Sequence, residues 1–141
     1  MKETIEKSLS EADHRKLLTL ARDMRKNAWA PYSNFKVGAA VLTAKNHLFF
    51  TGCNVENASY GLTMCAERVA IFKAISEGET NFLALAISVE IEKTSSDAER
   101  MPCGACRQVM SEFMKPNSIV LVDGVGSFLL QDLLPQAFRL K

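Results

Sequence analysis

No surplus of charge of either sign marks this chain: 17 Lys and Arg stand against 16 Asp and Glu, a formal net charge of +1 over 141 residues. Without a basic patch, electrostatics give no argument for a nucleic-acid partner, and without an acidic bias they give none against one. Long apolar runs are missing as well. None reaches membrane-spanning length, and the opening "MKETIEKSLSEADHRK" is too charged for a signal peptide. Repeats, low-complexity tracts and linker-like stretches are also absent. What is left is one compact domain, residues 1–141, with 48% hydrophobic and 23% charged residues, ordinary values for a globular chain with a real core. Cys is sparse, at four. In a chain read as having no secretion signal, that points to a reducing compartment, the cytoplasm. There a Cys pattern means metal or redox chemistry more often than a disulfide framework.

The apolar spacing gives the elements. Leu17, Ala21, Met24 and Ala28 recur at helical intervals, which predicts an amphipathic helix over 11–29, opened by Ser10 with Asp13 and stopped by Pro31. "FKVGAAVLTA" (35–44) is apolar at nearly every position, as in a strand covered on both faces. "KN" (45–46) is a turn, and "HLFFTGC" (47–53) returns as the second strand of a hairpin. "NVENASYGLT" (54–63) reads as a loop. A helix follows over 65–77, with Ala66, Val69, Ala70, Phe72, Ala74 and Ile75 mostly inward and Gly78 as its stop. "FLALAISVEI" (82–91) is a third strand, 92–100 a polar loop, and 104–114 a helix with Cys106, Val109, Met110, Phe113 and Met114 on its apolar side. "SIVLVD" and "SFLLQ" are two short strands joined through "GVG", and "LLPQAF" (133–138) is a terminal helix or turn. Apolar strands alternating with helices in the order α-β-β-α-β-α-β-β predict a three-layer α/β/α domain around a mixed five-stranded sheet.

Cys103 and Cys106 have the usual spacing of a pair of zinc ligands, behind a Pro102 that stiffens the turn into the helix. The same CxxC also reads as a redox pair. Cys65 favours metal, because it too stands at a helix start, where unpaired N–H groups and the helix dipole favour thiolate. Three sulfurs leave one tetrahedral position for water, whose pKa the metal would lower to supply hydroxide near neutral pH. Glu67 then stands close enough to handle that water's proton without ligating the metal. A closed structural zinc with Cys53 as fourth ligand would instead make the chain a binding module. Three thiolates on one divalent ion carry a net negative charge, and Arg68 and Arg107 are the candidates to offset it by hydrogen bonding. His14 and His47 read as exposed and are assigned to no metal.

"CAE" (65–67) followed by "PCGAC" (102–106) resembles the zinc nucleoside and nucleobase deaminases, with Cys65 where others carry His. Together with "PYSNFKVGAA" (31–40), "GCNVENASYG" (52–61), "CAERVAIFKAISEG" (65–78), "PCGACRQVMSEF" (102–113) and "LLPQAF" (133–138), the pattern is similar to the short homotetrameric cytidine deaminases. The resemblance implies a cytidine deaminase-like fold and hydrolysis of cytidine and 2′-deoxycytidine to the uridines with release of ammonia, in pyrimidine salvage. It implies one zinc per subunit on Cys65, Cys103 and Cys106, with Glu67 as proton shuttle. It further implies that Asn54 and Glu56 bind ribose hydroxyls, that Phe35 packs on the nucleoside and that backbone near Ala66 touches the base. Ala58, Tyr60 and Phe138 match positions that neighbouring subunits contribute in a homotetramer. The implied partner is a small-molecule nucleoside, with no nucleic acid and no membrane. A related aminohydrolase, such as a deaminase of the antibiotic blasticidin S, is the nearby alternative, and "NVEN" argues against it.

Overall fold

The structure is a computed structural model that describes residues 9–90, 92 and 94–140. Ile91, the last residue of the expected third strand, lies outside the described residues. The elements run α1 (Glu11–Met24), β1 (Val37–Thr43), β2 (Phe49–Cys53), α2 (Ala66–Ser76), β3 (Phe82–Val89), α3 (Gly104–Phe113), β4 (Met114–Val122), β5 (Gly126–Leu129) and α4 (Leu130–Leu133). The five strands form one sheet in the order β2-β1-β3-β4-β5. Every neighbouring pair is antiparallel except β3 and β4, so the sheet is mixed. The parallel pair is joined across one face by α3, as a parallel connection requires.

Alternation along the strands divides the core in two. Ala40, Leu42, Ala84, Ala86, Ile119 and Leu121 point to the side covered by α1 through Leu17 and Ala21. Val41, Leu85, Ile87, Val120 and Val122 point to the other side, under Ala70, Ile71 and Ala74 of α2 and Met110 of α3. β1 is buried along its whole length, as its unbroken apolar run implies. Two glycines let the helices seat closely. A Cβ on Gly38 would stand 1.9 Å from Ala21 O, and one on Gly52 would stand 2.4 Å from Ala70 N.

Several expected boundaries move, each for a tertiary reason. The first helix ends at Met24, tightens into a 3-10 turn over Arg25–Asn27, and stops short of 29. Trp29 is instead drawn into a bridge, its N–H donating to Asn54 O and its carbonyl accepting from Glu56 N. On α2 the buried stripe is Ala66, Glu67, Ala70, Ile71 and Ala74, whereas Phe72 turns out to solvent. Met114 is not the end of α3 but the first residue of β4, paired with Phe82, and an irregularity before Ile119 absorbs the extra residues around Pro116. Of the helix or turn expected over 133–138, the structure shows the turn, at 135–136, after a short helix that ends at Leu133. Half-buried His14 also departs from its exposed reading, while His47 is exposed and pairs with Asp13 at 3.0 Å. Among the described residues, no helix is long and apolar enough to cross a membrane.

Candidate active site

Register places the site at one edge of the sheet. Val37 pairs with Val89 and Gly38 with Cys53, so the start of β1 and the ends of β2 and β3 share that edge. Ligands in open α/β sheets collect at such carboxyl ends. The chain leaving β2 returns through 54–65 into α2, and the chain leaving β3 returns through 90–103 into α3. Cys65 and Cys103 are the N-cap residues of these two helices, both extended and neither sulfur accepting a capping bond from a backbone N–H of its helix. A Ser or Asp there would cap the helix; a Cys leaves its sulfur free to face outward. Cys106 lies one turn into α3, on the same side as Cys103.

The three sulfurs converge. All lie within 4.8 Å of one another, and Cys65 and Cys103 are 3.9 Å apart. A tetrahedral zinc with bonds of about 2.3 Å needs sulfurs about 3.8 Å apart, close to the Cys65–Cys103 separation, so the cluster is of the size that ion needs. Two helix N-termini point at it, and Arg68 Nη2 donates to Cys65 Sγ at 3.3 Å. Hydrogen bonding from Cys106 and then Arg68 pulls Cys65 down to about 5, against the opposing effect of burial. Its neighbour Cys106 is pushed up, because it shares a proton with Cys65 and is buried. Cys53 does not join the group: half-buried at the end of β2, its thiol donates to Asn27 O at 3.4 Å. A fourth thiolate from Cys53 is therefore ruled out in this arrangement.

Glu67 is 3% exposed on the inward stripe of α2, beside the sulfurs. Burial, with the charge of Cys65 adding to it, pushes its carboxyl up to about 7. Ala66 is buried beside it at the first position of the helix. Arg107 does not reach the sulfurs. Its guanidinium binds the carbonyls of Pro102 and Leu133, each at 2.7 Å.

The "NVEN" segment lies along the same edge. Asn54 is buried, and its amide clamps the backbone before β1: Oδ1 accepts from Val37 N at 2.8 Å and Nδ2 donates to Phe35 O at 2.7 Å. Half-buried Phe35 packs against the larger core. Glu56 is 8% exposed and accepts from Tyr32 N at 3.0 Å, from Ser33 N at 3.1 Å and from the Ser33 hydroxyl. These bonds, led by the hydroxyl, hold its pKa below the usual value. Ser33 had no signal in spacing, since the bond joins residues 23 apart in sequence. Ala58, Tyr60 and Phe138 are all exposed, Tyr60 at 74% and Phe138 at 68%, as are Leu62 and Trp29.

Residues 11–122 match the family model described as the cytidine and deoxycytidylate deaminase zinc-binding region. The chain belongs to that family. A cytidine deaminase of Sporosarcina psychrophila is 42% identical over 130 residues, covering 89% of this chain and 91% of its own. One from Mycobacterium tuberculosis is 46% identical over 114 residues, 80% of each chain. Among solved structures, the cytidine deaminase of Burkholderia pseudomallei superposes with a TM-score of 0.76 at 47% identity, covering 89% of this chain and 98% of that one. Membership agrees with the three-layer fold and with a zinc ion as the group the three thiolates hold. A redox CxxC would leave Cys65 and the buried Glu67 without a purpose.

Proposed function

We propose that this chain is a zinc-dependent cytidine deaminase, one catalytic domain that converts cytidine and 2′-deoxycytidine with water to the uridines and ammonia. The observation that carries the reading is the buried Glu67 carboxyl beside three convergent thiolates in a chain of the deaminase family. When bound, zinc supplies Lewis acidity that lowers the pKa of a water in the position the protein leaves open. Glu67 would take one proton from water and give it to pyrimidine N3 as the water oxygen bonds to C4. It would then move the remaining hydroxyl proton to the amine, which leaves as ammonia when the C4–N bond breaks and C4 becomes a carbonyl. Because the carboxyl is shielded from bulk solvent, the proton it holds passes to the substrate rather than to water. Arg68 offsets the negative charge of the three sulfurs.

In this reading Phe35 packs on the nucleoside, backbone at Ala66 meets the base, and Asn54 and Glu56 address the ribose hydroxyls. Asn54 acts mainly by fixing the Phe35–Val37 backbone, while Glu56 presents a charged acceptor. Glu56 already accepts from Tyr32 N, Ser33 N and the Ser33 hydroxyl, so a ligand without the matching hydroxyl forfeits one bond to a charged group, about 10–100-fold in affinity, without stranding the carboxylate. Ala58, Tyr60 and Phe138 serve a neighbouring subunit in a homotetramer, which accounts for aromatic side chains left bare on one chain. Pyrimidine salvage in the cytoplasm is the setting this chemistry suits.

The test is the ultraviolet change on conversion of cytidine to uridine. Wild type should turn over, and Glu67→Gln should lose about 10²–10⁴-fold in kcat while zinc stays bound. A wild type that holds zinc yet leaves cytidine unchanged would overturn the reading, and turnover of blasticidin S alone would replace it with the related aminohydrolase. Sedimentation of a fully active monomer would remove the homotetramer.

A further inference from the structure

Arg107 and Gln108 directly follow Cys106 on α3, and their side chains tie the turn before Cys103 to the C-terminal part of the chain. Arg107 Nε donates to Pro102 O and Nη1 to Leu133 O, both at 2.7 Å, and Gln108 Nε2 donates to Phe138 O at 3.1 Å. A guanidinium is a rigid planar fork, so the two carbonyls it binds are held at a set separation. One of them directly precedes Cys103. The other closes α4, a helix of only four residues.

Beyond α4, residues 134–140 form no helix or strand, and Gln136 sits at a φ of 54°. Phe138 is mostly exposed, so little apolar packing fixes it. The stretch is tied at its two ends: Leu134 N donates to Leu130 O of α4 at 2.9 Å, just beyond the Leu133 carbonyl that Arg107 holds, and Phe138 O accepts from Gln108 Nε2.

We propose that Arg107 is a positioning residue: its fork fixes the C-terminal segment that carries Phe138 against the turn that presents Cys103, with Gln108 holding the segment's far end. The clamp stands on the geometry of this chain, whereas its effect on substrate rests on the cytidine deaminase reading and on Phe138 meeting a nucleoside. Loosening the clamp lets Phe138 wander and raises KM. The sulfurs keep their helix anchors, so kcat changes less.

Hydrogen exchange and steady-state kinetics on the zinc-loaded protein test this together. In Arg107→Ala, amides in 134–139 should exchange about tenfold faster while those of α2 are unchanged. KM for cytidine should rise about tenfold, and adding Phe138→Ala should raise it little further, because residues acting as a unit are not additive. Arg107→Lys reaches one carbonyl but not both, and should lie between. It also carries the test if Arg107→Ala does not fold. Unchanged exchange in the C-terminal segment would overturn the clamp, whatever the substrate. Faster exchange with an unchanged KM, or with Arg107 and Phe138 effects that simply multiply, would overturn its link to substrate. A wild type inert toward cytidine would instead count against the deaminase reading, and the exchange measurement would still decide the clamp.

Discussion

Arg68 Nη2 donates to Cys65 Sγ across 3.3 Å, so the residue that follows the buried Glu67 on α2 turns back to the sulfur that caps the same helix. Three thiolates on a divalent ion leave a net negative charge, and a cation in direct contact offsets it. Cys65 is the thiol pulled down to about 5, with Arg68 among the causes, and Arg68 is itself raised by the contact. Arg68→Gln should therefore cost about 10–100-fold in zinc affinity or activity, read by competition with a chelating dye and by kcat. Arg68→Lys should recover part of the loss through charge alone. Equal zinc retention in all three proteins would show that the contact does not tune the site.

Gly52 tests how far the site depends on the seating of α2. A Cβ at this position would stand 2.4 Å from Ala70 N and 2.6 Å from Ala66 O. Both are helix backbone, which cannot swing aside as a side chain can. Gly52→Ala should push α2 off the sheet, at a cost of about 3 kcal/mol or more, and carry Cys65 and Glu67 away from α3. Denaturant unfolding should report the lost stability, and zinc content should fall with it. A variant that kept both stability and metal would show that α2 can slide without disturbing the sulfurs.

Much of this arrangement was legible in sequence because it is local. Unbroken apolar runs announced β1 and β3, and two Cys at helix starts plus a CxxC announced the sulfur cluster. The three-layer fold expected from the alternation of strands and helices, and the deaminase family implied by the resemblance of the motifs, are both met. What escaped depends on partners distant in the chain. Nothing in 11–29 shows that Trp29 leaves the helix to pair beside Asn54. Apolar character alone put Phe72 inward, whereas the stripe that faces the sheet takes Ile71 and the charged Glu67. Arg107 stands beside a ligand in sequence but spends its donors on Pro102 and Leu133. Cys53, the alternative fourth ligand, is half-buried and donates instead to Asn27 O.

Arg22 and Asp123 supply a pH dependence away from the metal. Arg22 bonds both carboxylate oxygens, at 2.8 and 2.7 Å, and Ser88 Oγ adds a third bond at 2.8 Å. The Arg22 bond leads the causes that hold Asp123 below its usual pKa of 3.8. A folded pKa below the unfolded one means the contribution is fully present above about pH 4. It is lost as pH falls through the folded value. Arg22 is half exposed, so Arg22→Ala should cost only about 1–2 kcal/mol at neutral pH. The gap should close on acidification below pH 4. Urea unfolding of metal-free protein at each pH checks this without interference from ligand protonation. A gap that stayed constant into acid would mean that Arg22 stabilises by packing rather than charge.

Ser33 links two residues proposed to face the nucleoside. Its hydroxyl donates to Glu56 Oε2 and accepts from Phe35 N at 3.0 Å. The hydroxyl leads the causes that hold Glu56 below its usual pKa, and the serine aims that carboxylate. Ser33→Ala leaves the backbone donors of Tyr32 and Ser33 in place, so the loop should keep its course while Glu56 loses one of three anchors. KM for cytidine should then rise on the order of tenfold, the scale of a hydrogen bond to a charged group, with kcat changed less because Glu67 and the sulfurs are untouched. Ser33→Thr, which keeps the hydroxyl, should restore most of the loss. The ribose is where the effect must appear: 2′,3′-dideoxycytidine, lacking the hydroxyls Glu56 would meet, should bind both proteins alike. An equal penalty on that analogue would mean that Ser33 acts through the Phe35 backbone alone and that Glu56 does not read the sugar.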